Sequence, residues 1–335
     1  MAKISVAMTT YNGEKFVLRQ LQSLLAQTRP PDEVVILDDR SADGTPNIVQ
    51  SFIEQNRFVN WRFSVNGQNL GFIRNFGEAI KLTSGELIVF CDQDDVWYPE
   101  KLEIMERLFA EHPDMQALNT SFDFIDGDGK SIYTKDSRGR GNHGLLHQKA
   151  VSGELKKLSF PDLMGGNISP GCTMMCTRET AAAYLTNTDR ELPHDWEINL
   201  CAALAGGLYF YNRPLVGYRI HGDNAIGLAT APEKWQMTGT ASSRQKVLRA
   251  HEQIIKLSED PRVTAALTRR QKRTLAKFKN FVKMRRRCLE KHSIFTWLRI
   301  WGLYIPLRLN KSVPFPDVRL RTLGGDLVTI IKKEK

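Results

Sequence analysis

Three carboxylates within four positions, Asp92, Asp94 and Asp95, close the segment Gly85-Glu86-Leu87-Ile88-Val89-Phe90-Cys91-Asp92-Gln93-Asp94-Asp95. The apolar run before them reads as a buried strand, and in α/β sheets ligands bind outside the carboxyl ends of the strands. Carboxylates crowded at such an edge repel one another unless a cation holds them, and oxygen-only donors suit Mg²⁺ or Mn²⁺. A metal of that kind keeps several waters and completes its shell with substrate phosphates. The bland alternative is an acidic loop capping the helix that Pro99-Glu100-Lys101-Leu102 begins, because Asp is a favoured N-cap.

The elements that must position these acids are readable upstream. Ile4-Ser5-Val6-Ala7-Met8 is a strand ending in the polar turn Thr9-Thr10-Tyr11-Asn12-Gly13. Phe16, Leu18, Leu21, Leu24 and Leu25 then recur at mostly helical spacing. A second strand, Glu33-Val34-Val35-Ile36-Leu37, ends in the paired acids Asp38-Asp39, and a helix is expected from about Pro46. A β-α-β-α order with polar residues at the strand ends implies a mostly parallel sheet. Its chemistry would lie along one edge.

Val6-Ala7-Met8-Thr9-Thr10-Tyr11-Asn12-Gly13, Leu37-Asp38-Asp39-Arg40-Ser41-Ala42-Asp43-Gly44-Thr45 and Cys91-Asp92-Gln93-Asp94-Asp95 together resemble family 2 glycosyltransferases of the GT-A fold. Asn69-Leu70-Gly71-Phe72-Ile73-Arg74-Asn75-Phe76, Pro193-His194-Asp195-Trp196 and Tyr218-Arg219-Ile220-His221-Gly222-Asp223-Asn224 resemble bacterial rhamnosyltransferase-type enzymes of surface polysaccharide (O-antigen) synthesis. The resemblance spans roughly residues 3 to 227. It implies an α/β catalytic domain over 1–230, with a mostly parallel central sheet flanked by helices; residues beyond about 230 lie outside the resemblance, and 231–335 are expected to be a basic, mainly helical region.

The resemblance also implies roles. The donor would be a dTDP- or UDP-linked sugar, and the acceptor a glycan or lipid-linked saccharide. Asp94 would hold the metal, with Asp92 beside it approaching the ribose. His221 resembles the late histidine that completes the metal shell in some GT-A enzymes, although a lone histidine is as often structural. Asp39 would read the base, with Thr9 and Tyr11 completing its pocket; the alternative for Asp39 is an Asx-turn. Arg74 would pair with the diphosphate or lie on a solvated helix face. Asp195 matches the family's acceptor-side base, which takes the hydroxyl proton in an inverting transfer and typically supplies ~10²–10⁴ in rate. An N-cap role for Asp195 has the same sequence signature, and His194 and Glu197 are alternative bases. The loop Gly165-Gly166-Asn167-Ile168-Ser169-Pro170-Gly171 is expected to line the acceptor side.

Charge divides the 335-residue chain. Residues 231–335 carry a net +17, whereas residues 1–230 carry −7. That asymmetry suggests an anionic partner for the tail. Arg269-Arg270-Gln271-Lys272-Arg273 and Lys283-Met284-Arg285-Arg286-Arg287 are interleaved with Leu275, Phe278, Phe281, Ile294, Phe295, Trp297 and Trp301. This pattern fits either a peripheral anchor on anionic lipid or an amphipathic face packed on the protein. Ser293 to Leu309 carries Arg299, Pro306 and Arg308, too short and too charged for a span. With a core strand from Ile4, no signal peptide is expected. The expected location is cytoplasmic, at the inner face of the membrane.

Five cysteines, Cys91, Cys172, Cys176, Cys201 and Cys288, sit in apolar settings and read as buried free thiols. Cys172 and Cys176 lack partners at zinc spacing. Gly129-Lys130-Ser131 resembles the end of a P-loop, but that motif's first glycine would be Phe124. Asp126-Gly127-Asp128-Gly129 reads instead as a hairpin turn. Three other classes fit less of the chain. A sugar-phosphate nucleotidyltransferase would show a Gly- and basic-rich loop after the first strand. A nucleic-acid-binding tail lacks any recognisable module. A non-catalytic carbohydrate-binding protein leaves Asp94 and Asp195 unexplained.

Overall fold

The computed structural model describes residues 2–132, 153–163, 167–186, 192–221, 241–261, 265, 267–300 and 326–327. Gly165, Gly166, Gly222, Asp223, Asn224, Trp301, Pro306, Arg308 and Leu309 lie outside the described residues, as do the side chains of Arg270 and Gln271. The chain divides into two compact units, Met1–Leu158 with Asn167–Thr230, and Ser159–Gly166 with Ala231–Lys335.

The first unit begins with β1 (Ile4–Thr10), α1 (Val17–Leu25), β2 (Glu33–Asp38), α2 (Thr45–Asn56), β3 (Trp61–Val65), α3 (Phe72–Leu82) and β4 (Leu87–Cys91). It continues through β5 (Val96–Trp97), α4 (Lys101–Glu111), β6 (Ala117–Ile125), β7 (Ser131–Ile132) and β8 (Leu155–Leu158). It closes with β9 (Met174–Thr177), α5 (Arg178–Leu185), α6 (His194–Leu204) and β10 (Leu208–Arg219). The strands form one sheet in the order β3-β2-β1-β4-β9-β6-β10-β5, with β7 added to β6 and β8 to β10.

The expected parallel pairing holds through β3-β2-β1-β4. Beyond β4 the sheet is mixed. β9 runs antiparallel to both β4 and β6, whereas β10 is parallel to β6. Every residue of β1, β2 and β4 is buried, as expected of strands covered on both faces. Each fully buried Val, Leu or Ile there contributes roughly 1.5–3 kcal/mol.

Helix α1 follows the periodicity with one correction. Val17, Leu21 and Leu24 form its buried stripe, while Leu18 and Leu25 face solvent. Val17, absent from the expected set, shares a face with Leu21 at i, i+4 and Leu24 at i, i+7. The Asp126–Gly129 turn is a hairpin: Gly129 N–H donates to the Asp126 carbonyl at 3.0 Å, and β6 and β7 pair antiparallel across it.

The second unit contains α7 (Ala241–Leu257) and α8 (Arg269–Lys291), and residues 294–300 are helical. Leu275, Phe278, Phe281, Val282 and Cys288 of α8 are buried, whereas Lys272, Arg273, Lys277, Lys283 and Arg287 are exposed. One base of the run departs from that pattern. Arg285 is 1% exposed and makes a bidentate ion pair with buried Asp326, at 2.8 and 3.0 Å. Among the described residues no helix is long and apolar enough to cross a membrane.

Candidate active site

Parallel strands β2, β1 and β4 deliver their last residues to one edge, and polar side chains knit that edge together. The two acids after β2 divide the work. Asp38 accepts from Thr10 Oγ1 at 2.6 Å, Ser41 N–H at 2.7 Å and Ser41 Oγ at 2.6 Å, which holds the turn after β2 closed. Asp39 faces the loop before α3. It accepts from Leu70 N–H at 2.7 Å, Gly71 N–H at 2.8 Å and Asn66 Nδ2 at 2.9 Å. A carboxylate has about four lone-pair sites, so Asp39 keeps one acceptor position.

Thr9 is buried near the end of β1, and Tyr11 just beyond it is 49% exposed. Gln93 clips Tyr11 to the end of β4. Its Oε1 accepts from Tyr11 N–H at 2.8 Å and its Nε2 donates to the Tyr11 carbonyl at 2.9 Å. A Cβ at Gly13 would stand 2.2 Å from Gln93 Oε1, so glycine there permits the clip. Gln93 is a site residue that sequence reasoning did not single out.

The acids after β4 split into two groups. Asp94 Oδ2 lies 2.8 Å from His221 Nε2, both side chains being mostly buried. The structure thus brings Asp94 to a residue 127 positions later, just past β10. Phe16 packs against the His221 ring at 4.7 Å between centroids. Asp92 and Asp95 form the second group with Cys172, their ligand atoms all within 4.8 Å of one another. Asp95 does not cap α4, whose N-cap is Glu100. Its Oδ1 accepts instead from Arg219 N–H at 3.0 Å, because β5 and β10 pair beside it. Arg219 also donates through Nε to the Asp94 carbonyl at 2.7 Å.

Electrostatics single out this cluster. Burial, then the charges of Asp95, Asp94 and Asp195, push the Asp92 carboxyl well above the usual carboxylate range. Burial and Asp94 push Asp95 up to about 7. Beneath them the fully buried Lys101 donates to the Cys172 carbonyl at 2.6 Å and lies 3.4 Å from the Trp97 ring centroid. Burial lowers its ammonium to about 8. Like charges held this close, with a histidine in reach, are a donor set that suits a divalent cation. The Cys172 thiol is pushed well up by burial and by Asp95 and Asp92.

Asp195 lies in the first turn of α6, whose N-cap is Pro193. Its Oδ1 accepts from Trp196 N–H at 2.8 Å. Burial raises its pKa to about 6, partly offset by hydrogen bonds from Trp196 and Gly171 N–H and from Asn167. A Cβ at Gly171 would meet His194 Nε2 at 2.7 Å and Asp195 Cβ at 3.4 Å. Only glycine lets this turn approach α6 so closely. His194 is a poorer base than the sequence allowed. Its ring stacks on Phe76 at 3.9 Å, neither nitrogen has a hydrogen-bond partner, and burial lowers its pKa to about 3. Arg74 is exposed in the first turn of α3, and among the described residues no hydrogen bond joins it to the acids.

Comparison with known proteins places this fold in a family. The family model for glycosyl transferase family 2 matches residues 5–172, from β1 through the acid cluster to Cys172. An uncharacterized glycosyltransferase of Nostoc sp. is 27% identical over 285 residues, covering 81% of this chain and 82% of that one. A dTDP-rhamnosyl transferase of Shigella flexneri, RfbG, is 29% identical over 233 residues, covering 66% of this chain and 73% of that one. Among solved structures, residues 1–349 of Staphylococcus aureus TarS in complex with UDP-GlcNAc superpose with a TM-score of 0.58 at 18% identity. That match covers 99% of this chain and 92% of TarS 1–349, and it shows a shared fold. An α/β GT-A sheet with acids collected at its carboxyl edge, matched by the family model across half its length, makes this chain a family 2 glycosyltransferase that uses a nucleoside diphosphate sugar donor.

Proposed function

We propose that the protein is a metal-dependent, inverting glycosyltransferase that moves rhamnose or another hexose to a glycan or lipid-linked glycan during surface polysaccharide synthesis. The observation that carries this reading is the meeting of Asp94 and His221 at 2.8 Å beside the buried acids Asp92 and Asp95. Asp94 and His221 would hold Mg²⁺ or Mn²⁺, with Asp92 alongside, toward the ribose. When bound, that cation supplies positive charge to the departing diphosphate. The dTDP-rhamnosyl activity named for the Shigella relative supports a dTDP-linked donor, and the UDP-GlcNAc bound to TarS supports a UDP-linked one.

The chain's own residues do the rest. Asp39 accepts the base N3–H with its remaining acceptor site, and Thr9 and Tyr11 flank the base. Arg74 swings onto the diphosphate. The acceptor hydroxyl oxygen bonds to the anomeric carbon from the face opposite the leaving group, its proton passing to Asp195. The bond from that carbon to the phosphate oxygen breaks, and its electron pair leaves on the diphosphate. A carboxyl with a pKa of about 6 is ionised at neutral pH and close enough to the working pH to serve as a general base. A panel of nucleotide sugars assayed for nucleoside diphosphate release, with Mn²⁺ and with excess chelator, tests the reading. Full turnover in chelator would overturn the metal role.

Residues 1–230 would form the catalytic domain and 231–335 a peripheral anchor on anionic lipid at the cytoplasmic face. Ile294, Phe295 and Leu298 are 47%, 77% and 56% exposed, and they follow the exposed bases of α8. Each base near such a surface contributes about 1 kcal/mol. Sedimentation with anionic and neutral liposomes at two salt concentrations should show salt-sensitive binding to the anionic ones alone. Equal partitioning to both would remove the anchor.

A further inference from the structure

Arg219, the last residue of β10, is fully buried among the loops that carry the acids. Its side chain reaches three of them at the carboxyl edge of the sheet. Nε donates to the Asp94 carbonyl at 2.7 Å, after β4. Nη1 donates to the carbonyls of Asp126 and Gly127 at 2.6 and 2.9 Å, in the turn after β6. The guanidinium also lies 4.9 Å from the ring centroid of Phe16, at the start of α1. The backbone N–H goes to Asp95 Oδ1 at 3.0 Å, a contact that survives any change of side chain other than proline.

The turn after β6 is a firm anchor. The Asp126 carboxylate accepts from Asp128 N–H and Lys130 N–H, each at 2.9 Å, and Arg19 of α1 gives the Gly127 carbonyl a further donor at 2.9 Å. Arg219 bridges from that anchor to Asp94. A guanidinium is a rigid fork that can span two such groups, whereas an ammonium is a point charge.

His221 follows two residues later, where side chains of an extended chain return to the same side. Its Nε2 stands 2.8 Å from Asp94 Oδ2, and its ring packs on Phe16 at 4.7 Å between centroids. Arg219 and His221 therefore touch the same two residues. One holds the Asp94 carbonyl and the other meets its carboxylate, while both lie against Phe16.

We propose that Arg219 is a positioning residue for the cation site, closing a ring of contacts Arg219–Asp94–His221–Phe16 that sets the Asp94 carboxylate against the His221 imidazole. This rests on the reading of Asp94 and His221 as the cation's ligands. Holding the Asp94 carbonyl fixes the backbone from which its carboxylate projects, and Phe16 holds the imidazole that must face it. Groups that orient a metal's ligands in this way are typically worth about 10–100-fold in affinity.

The test titrates Mn²⁺ into the full chain, alone and with UDP or dTDP, and follows the electron paramagnetic resonance of the protein-bound ion. Arg219→Lys and Arg219→Met should both weaken Mn²⁺ binding by about 10–100-fold. Phe16→Leu should weaken it by less. Turnover of Arg219→Lys should recover as Mn²⁺ is raised. No Mn²⁺ binding by the wild type, or wild-type affinity in Asp94→Ala, would remove the cation reading itself. Loss in Asp94→Ala with wild-type affinity in both Arg219 variants would overturn the positioning role alone. Wild-type affinity in Arg219→Lys, with loss in Arg219→Met, would mean that charge and not the fork matters, and would overturn it too. A merely structural Arg219 would lower the melting temperature while the folded protein kept its Mn²⁺ affinity. If neither Arg219 variant folds, Phe16→Leu decides, because that side chain is only half-buried; unchanged affinity there would overturn the proposal.

Discussion

The two units of this protein bury charge in opposite ways. In the C-terminal unit the buried acid Asp326 meets Arg285 in a bidentate pair, so neither charge lacks its opposite. In the other unit Asp92 and Asp95 are held near Asp94 and raised by burial and by neighbouring acids, while burial alone raises Asp195. Burial of paired charges costs desolvation and returns a fixed geometry. The like charges here are only partly offset by Lys101 and Arg219, and their burial costs stability in the free protein. Such a cluster marks a candidate ligand site. The contrast makes the acid cluster the candidate for chemistry and the Arg285–Asp326 pair the candidate for structure.

The largest test breaks the acidic side of this comparison. Asp94→Ala should lower nucleoside diphosphate release by about 10³-fold or more, the loss of several kcal/mol of leaving-group stabilisation. Its melting temperature in chelator should stay level or rise, because one of several repelling carboxylates is gone. A fall of several degrees would mean that Asp94 holds the fold. Next in size is Asp195→Asn. It keeps the side chain's shape but cannot take a proton, so turnover should drop by about 10²–10⁴ with donor affinity nearly unchanged.

Arg285→Met tests the paired side. It leaves Asp326 buried and alone, which should cost about 3–5 kcal/mol of stability. Donor turnover by the molecules that remain folded should be unaffected. Replacing both partners, Arg285→Met with Asp326→Leu, should recover most of that loss. A stable single variant would show the ion pair to be solvated, ending the contrast.

How much of this could be read from the chain depends on how local each signal is. β1, β2 and β4 are short apolar runs that stop at polar residues, so strand, edge and candidate acids were all visible together. Asp94 and Asp195 stood out as candidates because acids after a strand or at a helix start carry a local context, and the family resemblance supplied their expected roles. Gln93, Lys101, Asn119, Asn167, Asn199 and Arg219 had no such context. Each is a single polar residue whose meaning lies in a distant partner. Lys101 reaches Cys172 across 71 positions, Asn119 reaches Asn199 across 80, and Arg219 reaches Asp95 across 124. Arg285 was hidden for another reason. It sits in a run of bases, and only the helical phase of α8 turns it inward while Arg286 and Arg287 face solvent.

The smallest expected effect is a pH response that differs between the units. His194 in the catalytic unit and His251 in the C-terminal unit are both buried, with pKa values lowered to about 3. Burial causes both shifts, and Arg285 adds to the second. Their unfolded value is near 6.5. A group whose folded pKa is depressed contributes stability that is full above the unfolded value and is lost as pH falls toward the folded one. Acidification from pH 7 to 4.5 should therefore weaken both units, by at most about 1.4 kcal/mol per pH unit for each histidine. The catalytic unit has an opposing contribution. Asp95 and Asp195 have folded values near 7 and 6 in the metal-free protein, above their usual range. Raised carboxyls gain stability as pH falls through those values. Hydrogen exchange in chelator should then show α7 and α8 opening progressively below pH 6.5 while β1, β2 and β4 keep their protection. His251→Phe, which retains a ring against Phe278, should flatten the C-terminal response alone. Parallel loss of protection in both units would mean that the carboxyls do not offset His194, and that the acids are better solvated than their burial implies.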